Sequence, residues 1–142
     1  MNDITEFQGN YRWLSNFWPA QVELDGVLYP SVEHAYQAAK SLDANGEREP
    51  FQWGTAGEAK RLGRKLKIRE DWEGVKVSVM AALIRQKFAP GTNLAASLLA
   101  TGDVQIIEGN TWGDKFWGVC RGEGENMLGK LIMEQRAALR EP

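Results

Sequence analysis

The feature that most constrains the fold is an Asp-Gly pair that lies between two short β-prone runs and is followed directly by a helix start. Asp25-Gly26 separates Val22–Leu24 from Val27–Tyr29, and Asp-Gly is the pair that a two-residue primed turn prefers. A proline then ends the second run, Ser31 is a good N-cap, and Val32 to Lys40 is rich in helix formers. The segment therefore predicts a β-hairpin that leads into a helix.

Further helix and strand signals follow along the chain without a βαβ alternation. Thr55 and Glu58 have the capping-box spacing, which predicts a helix to about Leu66. The other predicted elements are a helix from Trp72 to Phe88 capped by Asp71, a short helix over Leu94–Ala100, a strand over Val104–Glu108, and a last helix over Met127–Leu139 capped by Asn126. The pattern predicts a small, mostly helical α+β fold with a hairpin and short strands.

Length and composition exclude several classes of protein. The chain has 142 residues and a formal charge of −2, which predicts one domain over residues 1–142. With one cysteine and one histidine, a disulfide framework, a thiolate zinc site and a multi-histidine metal centre are not expected. The first residues lack a leader pattern and no apolar run is long enough to span a bilayer, so a cytoplasmic protein without membrane contact is expected.

The helix after Ser31 carries a mixed polar face. Glu33 and Lys40 are seven residues apart and so lie at nearly the same angle on a helix, with Tyr36 and Gln37 between them. One interpretation is a solvated face whose charges do little. The other is the wall of a site in which Glu33 is an acid/base and Lys40 a nucleophilic amine, which requires a lowered lysine pKa.

Two other stretches are candidates for ligand contact. Residues 109–129 contain six glycines and lead to Asn126 at a helix start, a natural place for a phosphate, although Glu123 and Glu125 would repel one. The run from Lys60 to Arg69 contains six cations and no acid, so it is either a rail for a polyphosphate or nucleic-acid backbone or a solubilising helix end.

The remaining reactive or aromatic residues are interpreted first as structural. Cys120 and His34 are expected to be buried, and a Cys–His nucleophile pair is the alternative. Most of the six tryptophans are expected in the core, and some on a planar ligand.

Three blocks of the sequence resemble one known family. They are Tyr11–Pro19 (YRWLSNFWP), Tyr29–Lys40 (YPSVEHAYQAAK) and Asp114–Met133, which contains DKFWG and GEGENMLGKLIM. In order and over nearly the whole chain, these blocks resemble the YbiA-like family, also called NADAR. The resemblance implies a small single-domain YbiA-like fold and an N-glycosidase, which cuts the bond between ribose C1 and a nitrogen of a nucleobase-like amine, with no cofactor and no metal.

The resemblance also implies roles for individual residues. Glu33 and Lys40 are the expected catalytic acid/base and amine, and Asp114 is a second acid or an acceptor for a ribose hydroxyl. Trp117, rather than Trp112, is expected to stack on the base or close the pocket. The other expected substrate-binding residues are Arg12, Ser15, Asn16, Phe17 and Tyr36 around the sugar or base, and Gly118, Gly122, Gly124 and Asn126 toward the phosphate end.

Two substrate classes are associated with the family. The first is ADP-ribose attached to a nucleobase, which leads to an ADP-ribosyl glycohydrolase acting on guanine in DNA or RNA, with an ADP-ribosyltransferase toxin as a genetic partner. The second is a phosphoribosylamino-pyrimidine intermediate of riboflavin synthesis, from which ribose 5-phosphate would be released. A non-catalytic module that binds ADP-ribose or a nucleotide is the third alternative, and the oligomeric state is left open.

Overall fold

The computed structural model describes residues 2–141 and confirms the predicted α+β class. The chain separates into two compact units, a continuous unit over residues 16–87 and a discontinuous unit over residues 2–15 and 88–141. That the chain is one domain stays a prediction. The continuous unit contains β1 (Pro19–Leu24), β2 (Val27–Ser31), α1 (Val32–Ala38), α2 (Ala56–Gly63) and α3 (Trp72–Lys87). The discontinuous unit contains α4 (Asn93–Ala100), β3 (Gly109–Asn110), β4 (Val119–Cys120) and α5 (Met127–Leu139).

The predicted hairpin is confirmed. β1 and β2 pair antiparallel, with Leu24 opposite Val27. Asp25 and Gly26 form the turn with φ of +50° and +84°, the left-handed values that a two-residue primed turn requires at both positions. β2 continues one residue past its proline, to Ser31, which pairs with Pro19.

Helix α1 begins where the cap signal predicts and lies in the core on every side. The Ser31 hydroxyl accepts a hydrogen bond from the His34 backbone N–H at 3.2 Å, which satisfies one of the N–H groups that a helix start leaves unpaired. All seven residues Val32–Ala38 are buried. Beyond Ala38 the backbone has the hydrogen bonding of a 3₁₀ turn, because the Lys40 N–H bonds to the Gln37 carbonyl three residues back.

The two remaining helices of the continuous unit start as predicted and end earlier, α3 by a single residue. In α2, Thr55 and Glu58 form the complete capping box. The helix stops at Gly63 instead of about Leu66, because each of the next three N–H groups bonds to a carbonyl three residues back. α3 ends at Lys87, and its buried side includes Trp72, Met80 and Leu83.

The discontinuous unit joins the first described residues to the last third of the chain. Ile4 forms a parallel bridge with Ile106, and α5 buries Leu128, Leu131 and Ile132. The predicted strand over Val104–Glu108 is wrong, since only the bridge at Ile106 forms there and the strand that follows is Gly109–Asn110.

Two further expectations are corrected. Asn126 does not cap α5 through its side chain; it has a left-handed φ of +54°, and its amide bonds instead to the backbone of Ile106 and Glu108. Of the six tryptophans only Trp72 is buried, while Trp53 and Trp112 are exposed. Such large rings are seldom covered completely, even when much of their area is removed from water.

Candidate active site

Glu33 is a carboxylate held inside the continuous unit. It lies in the first turn of α1 with 7% of its surface exposed. Its backbone N–H donates to the Asn16 carbonyl at 3.0 Å, and its Oε2 accepts a hydrogen bond from Gln37 Nε2 at 2.7 Å. The interpretation of this helix face as merely solvated is therefore wrong for Glu33.

Burial raises the pKa of Glu33 above the ordinary value. The hydrogen bond from Gln37 opposes this rise, as do the nearby charges of Lys60 and Lys40. Desolvation is the largest of these effects, since a low-dielectric environment penalises the ionised form of a carboxyl group. The site therefore favours a protonated Glu33 that can donate a proton.

Lys40 lies just beyond the C-terminal end of α1 and is half-buried. Its ammonium is 5.7 Å from the centre of the Tyr36 ring, which in turn packs against Trp72 with ring centres 5.1 Å apart. Desolvation lowers the pKa of Lys40, and the charges of Lys60 and Arg64 add to this effect, although Glu33 opposes it. A lysine must lose its proton to act as a nucleophile, so this environment favours the reactive form.

Asn16 and Phe17 are also part of this site in the continuous unit. Asn16 supports Glu33 through its backbone, and its side-chain Oδ1 is buried without a hydrogen-bond partner among residues 2–141. Phe17 is 43% exposed, and Lys60 Nζ lies 5.9 Å from the centre of its ring. An exposed ring beside a cation offers a face on which a base can stack.

The predicted basic run lies beside this cluster. The Arg69 N–H donates to the Lys40 carbonyl at 2.8 Å, so the end of the run is attached to the chain next to Lys40. Arg69 also forms a two-pronged ion pair with Asp71. Four members of the run, Arg61, Arg64, Lys65 and Lys67, are exposed.

His34 is structural, as predicted. Its Nε2 lies 3.0 Å from the Gly54 carbonyl, which can only accept, and its Nδ1 lies 2.6 Å from the Ser31 hydroxyl. Both ring nitrogens are engaged in this way, so His34 cannot act as the base for a cysteine nucleophile. Cys120 is buried, in agreement with its interpretation as a small core residue.

Asp114 and Trp117 lie in the discontinuous unit. Asp114 Oδ1 accepts hydrogen bonds from the N–H groups of Phe116 and Trp117, at 3.1 and 2.9 Å. This side chain therefore shapes the turn that carries Trp117. Trp117 is half-buried and packs edge-on against Phe116, with ring centres 4.9 Å apart.

The glycine-rich stretch also folds within the discontinuous unit. The Gly118 carbonyl accepts a hydrogen bond from the Asn126 N–H at 3.2 Å. Gly122 and Gly124 lie in the exposed loop between β4 and α5. Glu123 is exposed and pairs with Lys115 at 3.0 Å, which reduces the repulsion that it would exert on a phosphate.

Arg12 and Ser15 complete the predicted set in the discontinuous unit. Arg12 is exposed on a 3₁₀ turn over Gly9–Leu14, and the Ser15 N–H donates to its carbonyl at 3.0 Å. An open groove of about 370 Å³ in the same unit is lined by Thr5, Glu6, Ile107, Gly109, Asn110, Thr111, Val119, Arg121 and Gly122. Gly122 is the one predicted site residue that lines it.

Residues 2–141 contain no group of His, Cys, Asp and Glu side chains that could hold a metal ion. Within the same residues no helix is long and apolar enough to cross a membrane.

Three residues act in the site in ways that the sequence analysis did not predict. Gln37 lies one helical turn from Glu33, and this four-residue spacing was a signal that could have identified it. Lys60 and Arg64 act electrostatically on Lys40 from another segment, α2 and the turn after it. No local pattern in the sequence indicates that approach.

The chain belongs to the NADAR domain family, whose profile matches residues 5–140. It is similar to the N-glycosidase YbiA of Escherichia coli (strain K12), with 38% identity over 135 residues that cover 92% of this chain and 82% of YbiA. It is equally similar, at 38% identity over 93% of its length, to a riboflavin biosynthesis protein of Vibrio vulnificus (strain YJ016), but it spans only 36% of that protein.

The fold comparison agrees with the sequence comparison. The NMR structure of E. coli YbiA matches with a TM-score of 0.82 and 35% identity, over 98% of this chain and 86% of that one. The predicted family and the predicted YbiA-like fold are therefore confirmed. The expected enzyme class, a hydrolase of N-glycosyl bonds, is confirmed by several relatives that are named N-glycosidases.

Proposed function

We propose that this NADAR protein is an ADP-ribosyl N-glycosidase that hydrolyses the bond between ribose C1 of ADP-ribose and the amine of guanine in nucleic acid. The observation that carries the proposal is the environment of Glu33 and Lys40. Burial is the largest effect on both groups: it raises the pKa of the Glu33 carboxyl and lowers the pKa of the Lys40 amine, which shifts each group toward its uncharged form. This is the pair that cleavage of a glycosylamine requires.

In the proposed reaction Lys40 forms a covalent intermediate with the sugar. The ribose ring of a glycosylamine opens to an imine, and Lys40 Nζ attacks C1. The C1–N bond to the base then breaks as the guanine amine accepts a proton from Glu33, which leaves the sugar on Lys40 as a Schiff base. Water adds to C1 with Glu33 as the base, and the C1–Nζ bond breaks to release ADP-ribose and the free lysine.

A direct route uses the same two residues differently. In that route ionised Glu33 activates water against an oxocarbenium-like C1, while Lys40 binds phosphate or orients Glu33. Borohydride added during turnover distinguishes the routes, because it reduces an imine to a stable amine. A sugar adduct on Lys40 in the mass spectrum is expected, whereas an active enzyme that never yields the adduct would establish direct hydrolysis.

Residues of the discontinuous unit keep the roles that the family resemblance implies. Trp117 is assigned to base stacking, Asp114 to a ribose hydroxyl or to a second acid, and Asn126 to the phosphate end. Because Asp114 Oδ1 already holds two backbone N–H groups, we favour the hydroxyl acceptor over the acid. Asp114→Asn should then raise KM more than it lowers kcat.

The basic run supports a nucleic-acid substrate over a free metabolite. The run ends at Arg69, whose N–H bonds to the Lys40 carbonyl, and the charges of Lys60 and Arg64 act on Lys40. Exposed cations in such a run would neutralise phosphates flanking the modified base. Reversing two of them, Arg61→Glu with Lys65→Glu, should lower kcat/KM for an ADP-ribosylated oligonucleotide and leave the rate on ADP-ribosylated guanosine unchanged. Arg85→Glu, an exposed cation in α3 outside the run, is the matched control.

The second candidate function keeps the enzyme and changes the substrate to a phosphoribosylamino-pyrimidine. It is supported by the name of the Vibrio relative, a riboflavin biosynthesis protein. A side-by-side assay decides between them, with release of ADP-ribose from the oligonucleotide measured against release of ribose 5-phosphate from the pyrimidine. The proposal fails if the oligonucleotide is not cleaved, or if Glu33→Gln cleaves it as fast as the wild type.

A further inference from the structure

Gln37 is a buried amide whose two ends have different neighbours. It lies in α1 one turn after Glu33 and is 5% exposed. Its Nε2 donates to Glu33 Oε2 at 2.7 Å. Its Oε1 is buried and has no hydrogen-bond partner among residues 2–141. Because Nε2 is the atom that donates to Glu33, the amide presents its NH₂ group to the carboxyl and its oxygen elsewhere.

The unpartnered oxygen faces Gly63, the last residue of α2. A Cβ built at Gly63 would overlap Gln37 Oε1 and would come within 2.8 Å of Gln37 Cδ. A glycine therefore leaves room for the amide, and its Cα–H can make a weak contact to the oxygen. Any other residue at position 63 would push the amide away from its place beside Glu33.

The helix that supplies Gly63 is fixed at its other end. The Thr55 hydroxyl accepts from the Glu58 N–H at 3.1 Å, and the Glu58 carboxylate accepts from the Thr55 N–H at 3.2 Å. This reciprocal pair anchors the first turn of α2. The place where Gln37 packs is thus built from an ordered helix rather than from a loop.

From this geometry we infer that Gln37 is a positioning residue for Glu33 and that Gly63 provides the space in which Gln37 is held. The inference rests on the proposed function, in which Glu33 transfers the proton. One oxygen of the carboxylate is held by Gln37, so the rotation of the group is limited before substrate binds. Such prior orientation of an acid/base raises kcat more than it changes KM.

Two substitutions of Gln37 test the hydrogen bond and the packing separately. Gln37→Met keeps a similar volume and removes the donor, whereas Gln37→Ala removes both. Each should lower kcat by about 10–100-fold, the range expected when a buried hydrogen-bond partner is left unsatisfied. Loss of the donor should also move the limb of the pH–rate profile that belongs to Glu33 to higher pH, since the hydrogen bond lowers the pKa of that carboxyl.

The role of Gly63 is tested by a double-mutant cycle with a control in the same helix. Gly63→Ala should lower kcat as Gln37→Ala does, and the double variant should show no further loss, because both changes act through one contact. Gly57→Ala is the matched control: it makes the same change in α2, where a Cβ would meet only atoms at 3.6 Å or beyond. This variant should keep wild-type kcat, and thermal unfolding of each variant checks that it folds.

The possible outcomes separate this inference from the proposed function. If Glu33→Gln is inactive while Gln37→Met keeps the wild-type kcat and pH profile, the positioning role is overturned and the proposed function stands. If the losses from Gly63→Ala and Gln37→Ala add, Gly63 does not act through Gln37 and that part of the inference is overturned. If Glu33→Gln is fully active, the proposed function itself fails.

Discussion

Replacing Glu33 with glutamine changes the chemistry of the site with little change in its shape. The amide has nearly the same volume as the carboxyl group, and Gln37 Nε2 can still donate to the new side-chain oxygen across the present 2.7 Å. The bond from residue 33 to the Asn16 carbonyl is made by the backbone and is unaffected. What Glu33→Gln removes is the ability to give and accept a proton.

The expected loss of activity follows from that single function. A positioned acid/base contributes about 10²–10⁴-fold to a rate, which corresponds to about 3–5 kcal/mol of transition-state stabilisation. KM should change little, because the shape of the site and its hydrogen bonds remain. A loss confined to kcat would identify an interaction made only in the transition state.

The expected effect on stability has the opposite sign. The pKa of Glu33 is raised in the fold by burial, so its contribution to stability is fully present below the pKa of the unfolded chain and is lost as pH rises through the folded value. The glutamine variant has no group to ionise and does not lose this contribution. Its free energy of unfolding relative to the wild type should therefore increase as pH rises through that window.

Two measurements on the same preparations test this reasoning. Steady-state cleavage of the ADP-ribosylated oligonucleotide gives kcat and KM, and urea unfolding at several pH values gives the free energy of unfolding. A variant with wild-type kcat would refute the catalytic role. A variant that becomes less stable than the wild type with rising pH would refute the claim that burial dominates the environment of Glu33.

Three further predictions follow from the same structure. Wild-type activity should rise as pH rises through the lowered pKa of Lys40, because only the neutral amine attacks. Lys40→Arg should be inactive and give no borohydride adduct, since its guanidinium stays charged. Lys87 is 2% exposed, and burial lowers its pKa from 10.5 to about 7. Between these two pH values the unfolded chain binds more protons than the folded protein. The free energy of unfolding should therefore rise with pH by up to about 1.4 kcal/mol per pH unit. Lys87→Met should flatten that rise in urea unfolding. Thr55→Ala removes half of the capping box and should cost about 1 kcal/mol in chemical denaturation, while Thr55→Ser should cost much less.

Local signals predicted the part of the fold that carries Glu33. The Asp25-Gly26 turn and the Ser31 cap depend on neighbours within a few residues, and both are present in the structure. The strand predicted over Val104–Glu108 failed because strand formation needs a partner. The partner of Ile106 is Ile4, about a hundred residues away along the chain, and no local pattern encodes that pairing.

The sequence predicted which residues share one face of α1 but not how that face is buried. The helical spacing placed Glu33, Gln37 and Lys40 on one face, and the family resemblance gave two of them a role. Whether that face is solvated or buried depends on the segments that pack against α1, which the helix sequence does not contain. The close approach of Gly63 to Gln37 could not be predicted for the same reason. It is a contact between two helices and exists only once they are packed.

The division of the chain into a continuous and a discontinuous unit has a consequence for its synthesis. Residues 16–87 include every residue that contacts Glu33 and Lys40 through the interactions described above, and this segment is translated before residues 88–141. Ile4, in contrast, precedes this segment in the chain but cannot pair until Ile106 has been translated. Helix α1 can therefore form while the rest of the chain is being translated, whereas the pairing of Ile4 is completed only later.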